Sequence, residues 1–248
     1  MKLKKVVKAL MIILLALAVL LCGGFAYLYF NGLSGMSQNS ESREGQIKVA
    51  CVGDSITYGH GISNWPKNNY PARLAGLLGD GYHVQSFGVS GRAVQDNSDQ
   101  PYRALEHYQK SLAYEADILV FMMGTNDSKP ENWFGEDAFR TALEELLDSY
   151  LAAEKLPKIY LCTPAKAYFA EGFTENVTEY DIQPEIVETV DGIVRQIAQE
   201  RGYSLIDIHA LTEANPQWFE KDGVHPNNEG AAAIAQRVYE AVTQGKAE

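Results

Sequence analysis

Two rhythms of apolar and polar positions run through residues 47–242. Residues 47–52, 83–87, 117–123, 158–162 and 204–208 are short strand candidates, most of them largely apolar runs ending at Gly, Pro or polar residues, as expected of strands buried on both faces. Between them, apolar residues recur at helical spacing over 70–78, 102–114, 136–153, 184–200 and 228–242. In the segment 184–200 the stripe is Ile186, Val190, Ile193, Val194 and Ile197. Strand and helix therefore alternate, and the strands lack the in–out alternation of a half-exposed sheet. The pattern predicts an α/β fold with a five-stranded parallel sheet and helices on each face. In such folds ligands bind outside the carboxyl ends of the strands, which directs attention to the segment after each strand.

Those segments carry the chemistry. Gly53-Asp54-Ser55-Ile56-Thr57-Tyr58-Gly59 follows the first strand, Gly88-Val89-Ser90-Gly91 the second, and Gly124-Thr125-Asn126-Asp127 the third. Asp222-Gly223-Val224-His225-Pro226 precedes the last helix. A serine hydroxyl becomes a competent nucleophile when a base removes its proton, and a histidine oriented by a carboxylate is such a base. The three-residue spacing of Asp222 and His225 allows both side chains to point the same way. A tetrahedral oxyanion needs convergent donors. The backbone N–H groups of Ser55 and Gly91 and the side-chain amide of Asn126 can supply them, with glycine at position 91 allowing close backbone approach.

These four blocks, in this order and each after a predicted strand, resemble the SGNH/GDSL hydrolase family over residues 47–242. GDSITYG matches the block bearing the nucleophile, SFGVSG and GTND the two oxyanion blocks, and DGVHP the block completing the triad. Ser86 departs from the asparagine often found there, which touches the geometry of the second loop. The resemblance implies a flavodoxin-like three-layer α/β/α sandwich, a Ser55–His225–Asp222 triad, and ester hydrolysis without metal or other cofactor. The segment GTNDSKPENW, with Asn69-Tyr70-Pro71, is similar to sialate O-acetylesterase and acetylxylan esterase-like members. It implies a carbohydrate O-acetylesterase acting on a small-molecule or glycan ester; a lysophospholipase or lipase at the membrane surface is the alternative.

Other candidates in these loops have plainer readings. Asp54 and Asp127 are expected to tie their turns through backbone hydrogen bonds, and Ser90 to be a loop residue. Tyr58, His60 and Trp133 are the candidates for substrate contact; Trp65, Tyr70, Tyr102, Phe134, Tyr168 and Phe173 are further aromatics near the loops. Arg92, beside Gly91, could meet a carboxylate or an ordinary surface partner. His83, His107 and His209 are single residues with no metal-binding spacing.

The N-terminus belongs to another regime. Lys2, Lys4, Lys5 and Lys8 precede an uncharged apolar run of 22 residues, 9–30, long enough for a helix to span a bilayer. An uncleaved anchor is expected over residues 1–30; a cleaved signal peptide, with Gly24-Phe25-Ala26 as its small-x-small site, and a lipoprotein on Cys22 are the competing readings. Each puts the remainder outside the cytoplasm. Residues 31–46 are rich in Ser and Gly and read as a tether, leaving 47–248 as the hydrolase domain. The formal net charge of −11 weighs against nucleic acid as a partner. The three cysteines form no disulfide framework or zinc pattern.

Overall fold

The protein was analysed as a computed structural model that describes residues 11, 17, 20, 41–152, 155–169 and 180–244. Its sheet comprises β1 (Ile47–Gly53), β2 (Tyr82–Gly88), β3 (Ile118–Met122), β4 (Lys158–Cys162) and β5 (Ser204–Ile206). All pairings are parallel, in the order β2-β1-β3-β4-β5. The helices are α1 (Ser55–Tyr58), α2 (Trp65–Asn68), α3 (Tyr70–Leu78), α4 (Glu106–Ala113), α5 (Glu136–Leu151), α6 (Pro184–Arg201), α7 (Ile208–Glu213) and α8 (Asn228–Gln244).

Strand alternation explains the two apolar layers. Ala50, Val52, Leu119 and Phe121 point to one face, where α5 and α6 cover them with Phe139, Leu143, Leu147, Val190 and Ile197. Val49, Cys51, Val120 and Met122 point to the other face, against Leu74 of α3 and Ile234 and Val238 of α8. Both faces are filled over the middle of the sheet, so β1 and β3 read as nearly solid apolar runs, whereas the edge strands β2 and β5 carry His83, Gln85, Ser86 and Ser204. Burial pushes the Cys51 thiol up to about 12 and raises that of Cys162 as well, which keeps both protonated in the core.

Register brings the loops together. Gly53 pairs with Gly88 on one side and Met122 on the other, so β1, β2 and β3 end at one edge of the sheet. The chain leaves β1 for β2 and then returns across β1 to β3, which creates a crevice at that edge. Gly88 has to be glycine because α1 lies directly over it: a Cβ there would stand 2.4 Å from the backbone nitrogen of Tyr58.

Two expected elements are shorter than their patterns. The helix anticipated over 102–114 is a 3-10 turn at Tyr102–Ala104 followed by α4, with Leu105 extended between them. The buried Tyr102 hydroxyl donates to the Phe87 carbonyl at 2.8 Å, which pins this residue to β2 and breaks the helix. The fifth strand stops at Ile206 because Asp207 caps α7, accepting from Ala210 N–H at 2.9 Å. Arg195 holds the same carboxylate through two hydrogen bonds of 2.8 and 2.6 Å. The expected membrane-crossing segment lies, but for Met11, Leu17 and Leu20, outside the described residues; among those described, no helix is long and apolar enough to cross a membrane.

Candidate active site

Ser55 opens α1 immediately after β1, with Asp54 as the N-cap accepting from Ile56 N–H at 2.9 Å. That cap turns the chain sharply and presents the Ser55 hydroxyl at the sheet edge. The hydroxyl lies 2.8 Å from His225 Nε2, and His225 Nδ1 lies 2.8 Å from Asp222 Oδ2. Asp222 Oδ1 accepts from the N–H groups of Val224 and His225 at 2.8 and 2.9 Å, so one side chain both shapes its own loop and orients the imidazole. Burial works to raise the Asp222 pKa, but these hydrogen bonds and the adjoining imidazole outweigh it and hold the carboxyl below its ordinary range. With Asp222 ionised, the preferred tautomer has Nδ1–H donating to it, leaving Nε2 to accept from Ser55.

A cavity of about 290 Å³ opens over this line. Ser55, His60, Gly91, Asn126 and His225 all line it. Gly91 has φ +77°, in the left-handed region, and a Cβ there would come 3.2 Å from Gln100 Oε1. Glycine is thus favoured by backbone conformation, while the Gln100 side chain would have to give only a few tenths of an ångström. The Asn126 amide nitrogen donates to Asp54 Oδ2 at 3.3 Å and to the Arg92 carbonyl at 3.2 Å, joining the loops that follow β1, β2 and β3. Beneath it, Asn132 donates to the Asn126 carbonyl at 3.0 Å.

Asp54 ties its own turn as expected, whereas Asp127 ties its loop to the one that follows β2. Asp127 accepts from Val94 N–H at 2.9 Å and Gln95 N–H at 3.0 Å. Burial raises both carboxyls to about 6, against the lowering effect of these hydrogen bonds. Ser86 takes part locally, its hydroxyl accepting from Gly88 N–H at 3.4 Å.

The aromatic expectations divide. His60 lines the cavity, its ring centroid 4.4 Å from that of His225; burial, followed by the charge of His225, lowers its pKa and favours the neutral ring. Tyr58 and Trp133 are corrections. Tyr58 is buried, stacked on Trp65 with centroids 4.7 Å apart, in a small cluster with Ile62 and Ala231. Trp133 packs on Phe139 beside the main core. Neither lines the cavity. In each case a neighbouring helix offered the ring an apolar surface. Tyr70 and Tyr102 are likewise buried in the core, and Phe173 lies outside the described residues. The wall is instead completed by Ser90, Gln100, Lys129, Tyr180, Ile182 and Val224. Tyr180 stands edge-on to His225 at 5.1 Å, with its hydroxyl 3.3 Å from His60 Nε2.

Among the described residues, one histidine–carboxylate group lies apart from this site: Glu188, His209 and Glu213, with ligand atoms within 4.8 Å of one another. The Lys166 ammonium already bridges the two glutamates, which makes the group an ion-pair network.

A sequence profile of the GDSL-like lipase/acylhydrolase family matches residues 51–233, a span that includes Ser55, Gly91, Asn126, Asp222 and His225. The chain belongs to this family. An acetylxylan esterase from Xylanibacter ruminicola is 37% identical over 217 residues, covering 81% of this chain and 44% of that protein. The chain thus spans somewhat less than half the length of this relative. Among solved structures, the carbohydrate acetylesterase Est24 from Sinorhizobium meliloti superposes with a TM-score of 0.64 at 19% identity, covering 80% of this chain and 99% of that one. An aryl esterase from M. smegmatis gives 0.64 at 16% identity, with coverages of 80% and 99%. A lipase/acylhydrolase from Enterococcus faecalis gives 0.63 at 18% identity, with coverages of 81% and 97%. At these identities the three structures establish a shared fold.

Proposed function

We propose that this hydrolase is a carbohydrate O-acetylesterase that works through an acetyl-enzyme on Ser55. The observation that carries the mechanism is the unbroken Ser55–His225–Asp222 line of two 2.8 Å contacts at the floor of the cavity. Ser55 Oγ attacks the acetyl carbonyl carbon while His225 Nε2 takes its proton. Asp222 stabilises the imidazolium that forms. The carbonyl oxygen, now an oxyanion, receives hydrogen bonds from the N–H groups of Ser55 and Gly91 and from the Asn126 amide. The tetrahedral intermediate collapses, the bond to the sugar oxygen breaks, and His225 Nε2–H protonates the leaving alkoxide. A water molecule, giving its proton to His225, then attacks the acetyl-enzyme and releases acetate with Ser55 restored.

Substrate class rests on the wall and on the relative. A cavity of about 290 Å³ is near the lower end for ligand pockets, and its Gln100, Ser90 and Lys129 offer hydrogen-bonding groups beside Tyr180 and Ile182. That mixture suits a short acyl group on a polyhydroxylated alcohol better than a long acyl chain. The acetylxylan esterase of X. ruminicola points to the same class.

The location we propose is the outer face of the membrane, with residues 9–30 as anchor or signal. Residue 46 leads into the amino end of β1, whereas the cavity lies at the carboxyl edge. The seven residues of β1 separate these ends by about 20 Å, at about 3.3 Å per residue. A tether on that side favours substrates reached away from the bilayer over membrane lipids.

The test is acetate release from acetylated xylo-oligosaccharides and acetylated sialosides by the full chain in detergent, beside hydrolysis of lysophosphatidylcholine. Acetate release that vanishes in Ser55→Ala is expected. Turnover of the lysolipid with no acetate from any glycan would refute the substrate class. Protease accessibility of residues 47–248 on intact cells checks the location.

A further inference from the structure

We infer that the alcohol half of the ester carries a carboxylate, received by Lys129; this rests on the esterase reading and deepens it. Among the described residues lining the cavity, Lys129 is the one with a permanent charge, and no carboxylate lines the cavity beside it. Its side chain is only 13% exposed, so the surrounding loops cover most of it and fix where it runs along the cavity wall. Its nearest described counter-ion is Asp99, at 3.8 Å, beyond hydrogen-bond distance.

Asp99 is not free to come closer. Its Oδ1 accepts from Asn132 Nδ2 at 2.8 Å, while its backbone N–H donates to Asn132 Oδ1 at 2.8 Å. Asn132, fully buried, is anchored in turn to the Asn126 carbonyl. Asp99 also faces the charge of Arg92, whose buried Nε has no hydrogen-bond partner. Two cations thus share one carboxylate that is held in place, and the surplus positive charge belongs to the residue that looks into the cavity.

The setting makes the charge local. The chain carries a net charge of −11, so its overall field repels anions and Lys129 cannot act by long-range attraction. It acts at contact, on an anion already oriented by the ester at Ser55. Lys129 follows the Asn126–Ser128 turn, so the same loop presents the Asn126 amide and the ammonium. The ligand chemistry is a carboxylate on the leaving alcohol, as in an O-acetylated uronic or sialic-type sugar.

The experiment compares kcat/KM of the full chain on 3-carboxyphenyl acetate and phenyl acetate, then on O-acetylated methyl glucuronoside and methyl glucoside. The carboxylate-bearing ester of each pair is expected to be preferred. Lys129→Met should lower that preference by about tenfold, the scale of a hydrogen bond to a charged group, and Lys129→Arg should keep most of it. Asp99→Asn, which removes the competing anion but keeps an acceptor for Asn132, should raise the preference. High salt should shrink it. Phenyl hemisuccinate, with its carboxylate on the acyl half, should show no gain over phenyl acetate. Equal kcat/KM within each pair, or equal loss on both members in a Lys129→Met protein of native melting temperature, overturns this inference alone. Absence of turnover on every ester in the wild type overturns the esterase reading and this inference with it.

Discussion

Truncating Asn126 to alanine separates two roles that meet in one side chain. The Asn126 amide binds Asp54 at 3.3 Å and the Arg92 carbonyl at 3.2 Å. Both contacts lie at the long end of the hydrogen-bond range, with the Asp54 carboxylate buried and the Arg92 carbonyl part-buried, so their loss should cost about 1–3 kcal/mol of stability. The Asn132 bond to the Asn126 carbonyl survives the substitution because it is made to backbone. The kinetic effect has another origin. As an oxyanion donor, the amide acts on charge that develops only in the transition state, and removing such a donor lowers kcat by about 10²–10³, or about 2.7–4 kcal/mol. KM should change little because the ground-state carbonyl gains little from it. The assay is steady-state hydrolysis of p-nitrophenyl acetate at a temperature where urea melts show Asn126→Ala to be folded. A folded variant with kcat within about threefold of wild type would refute the oxyanion assignment and leave Asn126 as a brace between loops.

Further outcomes test the core and its buried charges. Asp127 has a carboxyl raised to about 6 in the folded protein, from an ordinary 3.8. Below the lower value both states hold the proton; between the two values the folded state holds it and the unfolded state does not, so stability falls as pH rises through this window. The stability of wild type relative to Asp127→Asn should therefore increase from pH 7 to pH 4.5, by about 2 kcal/mol, in urea denaturation at each pH. Gly88→Ala should destabilise by about 1–3 kcal/mol or more and lower kcat, because the new Cβ displaces α1 and Ser55 with it; denaturation and ester hydrolysis measure the two effects. Trp65→Ala should cost about 3–5 kcal/mol in melts with little change in KM, because the ring packs on Tyr58 and does not face the cavity.

The layer order of the fold was legible because its cause is local. A strand covered on both faces has no choice but to be apolar at successive positions, and 47–52 and 117–123 carry that mark. Boundaries were less legible where a distant partner decides them. No feature of residues 102–114 announces that Tyr102 will reach the Phe87 carbonyl, and none in 204–208 that Arg195 will fix Asp207 as a helix cap. The short helices α1, α2 and α7 have too few residues to show a periodic stripe at all.

The site was legible to the extent that its chemistry demands particular residue types next to strand ends. Ser55, Gly91, Asn126, Asp222 and His225 come together because the register of β1, β2 and β3 aligns their loops, and that register follows from the apolar runs themselves. The cavity wall obeys no such rule. A Tyr close to Ser55 can turn toward the cavity or toward the core, and what decided for Tyr58 was a stacking surface offered by Trp65 and closed by Ala231 of α8, more than a hundred residues away. Conversely, Tyr180 and Ile182 stand in a segment with no motif, and reach the cavity because the amino end of α6 is held beside the turn after β3; Gln183 is bonded there to Ser128 at 2.8 Å. Lys129 stood in plain view in GTNDSKPENW, yet its meaning depends on Asp99 being held at 3.8 Å by Asn132. A lysine's charge is written in the sequence, whereas its distance from the carboxylates among the described residues is a property of the assembled loops. Reaction type thus follows from residues that must converge, and substrate preference from residues that are left over once the others have paired.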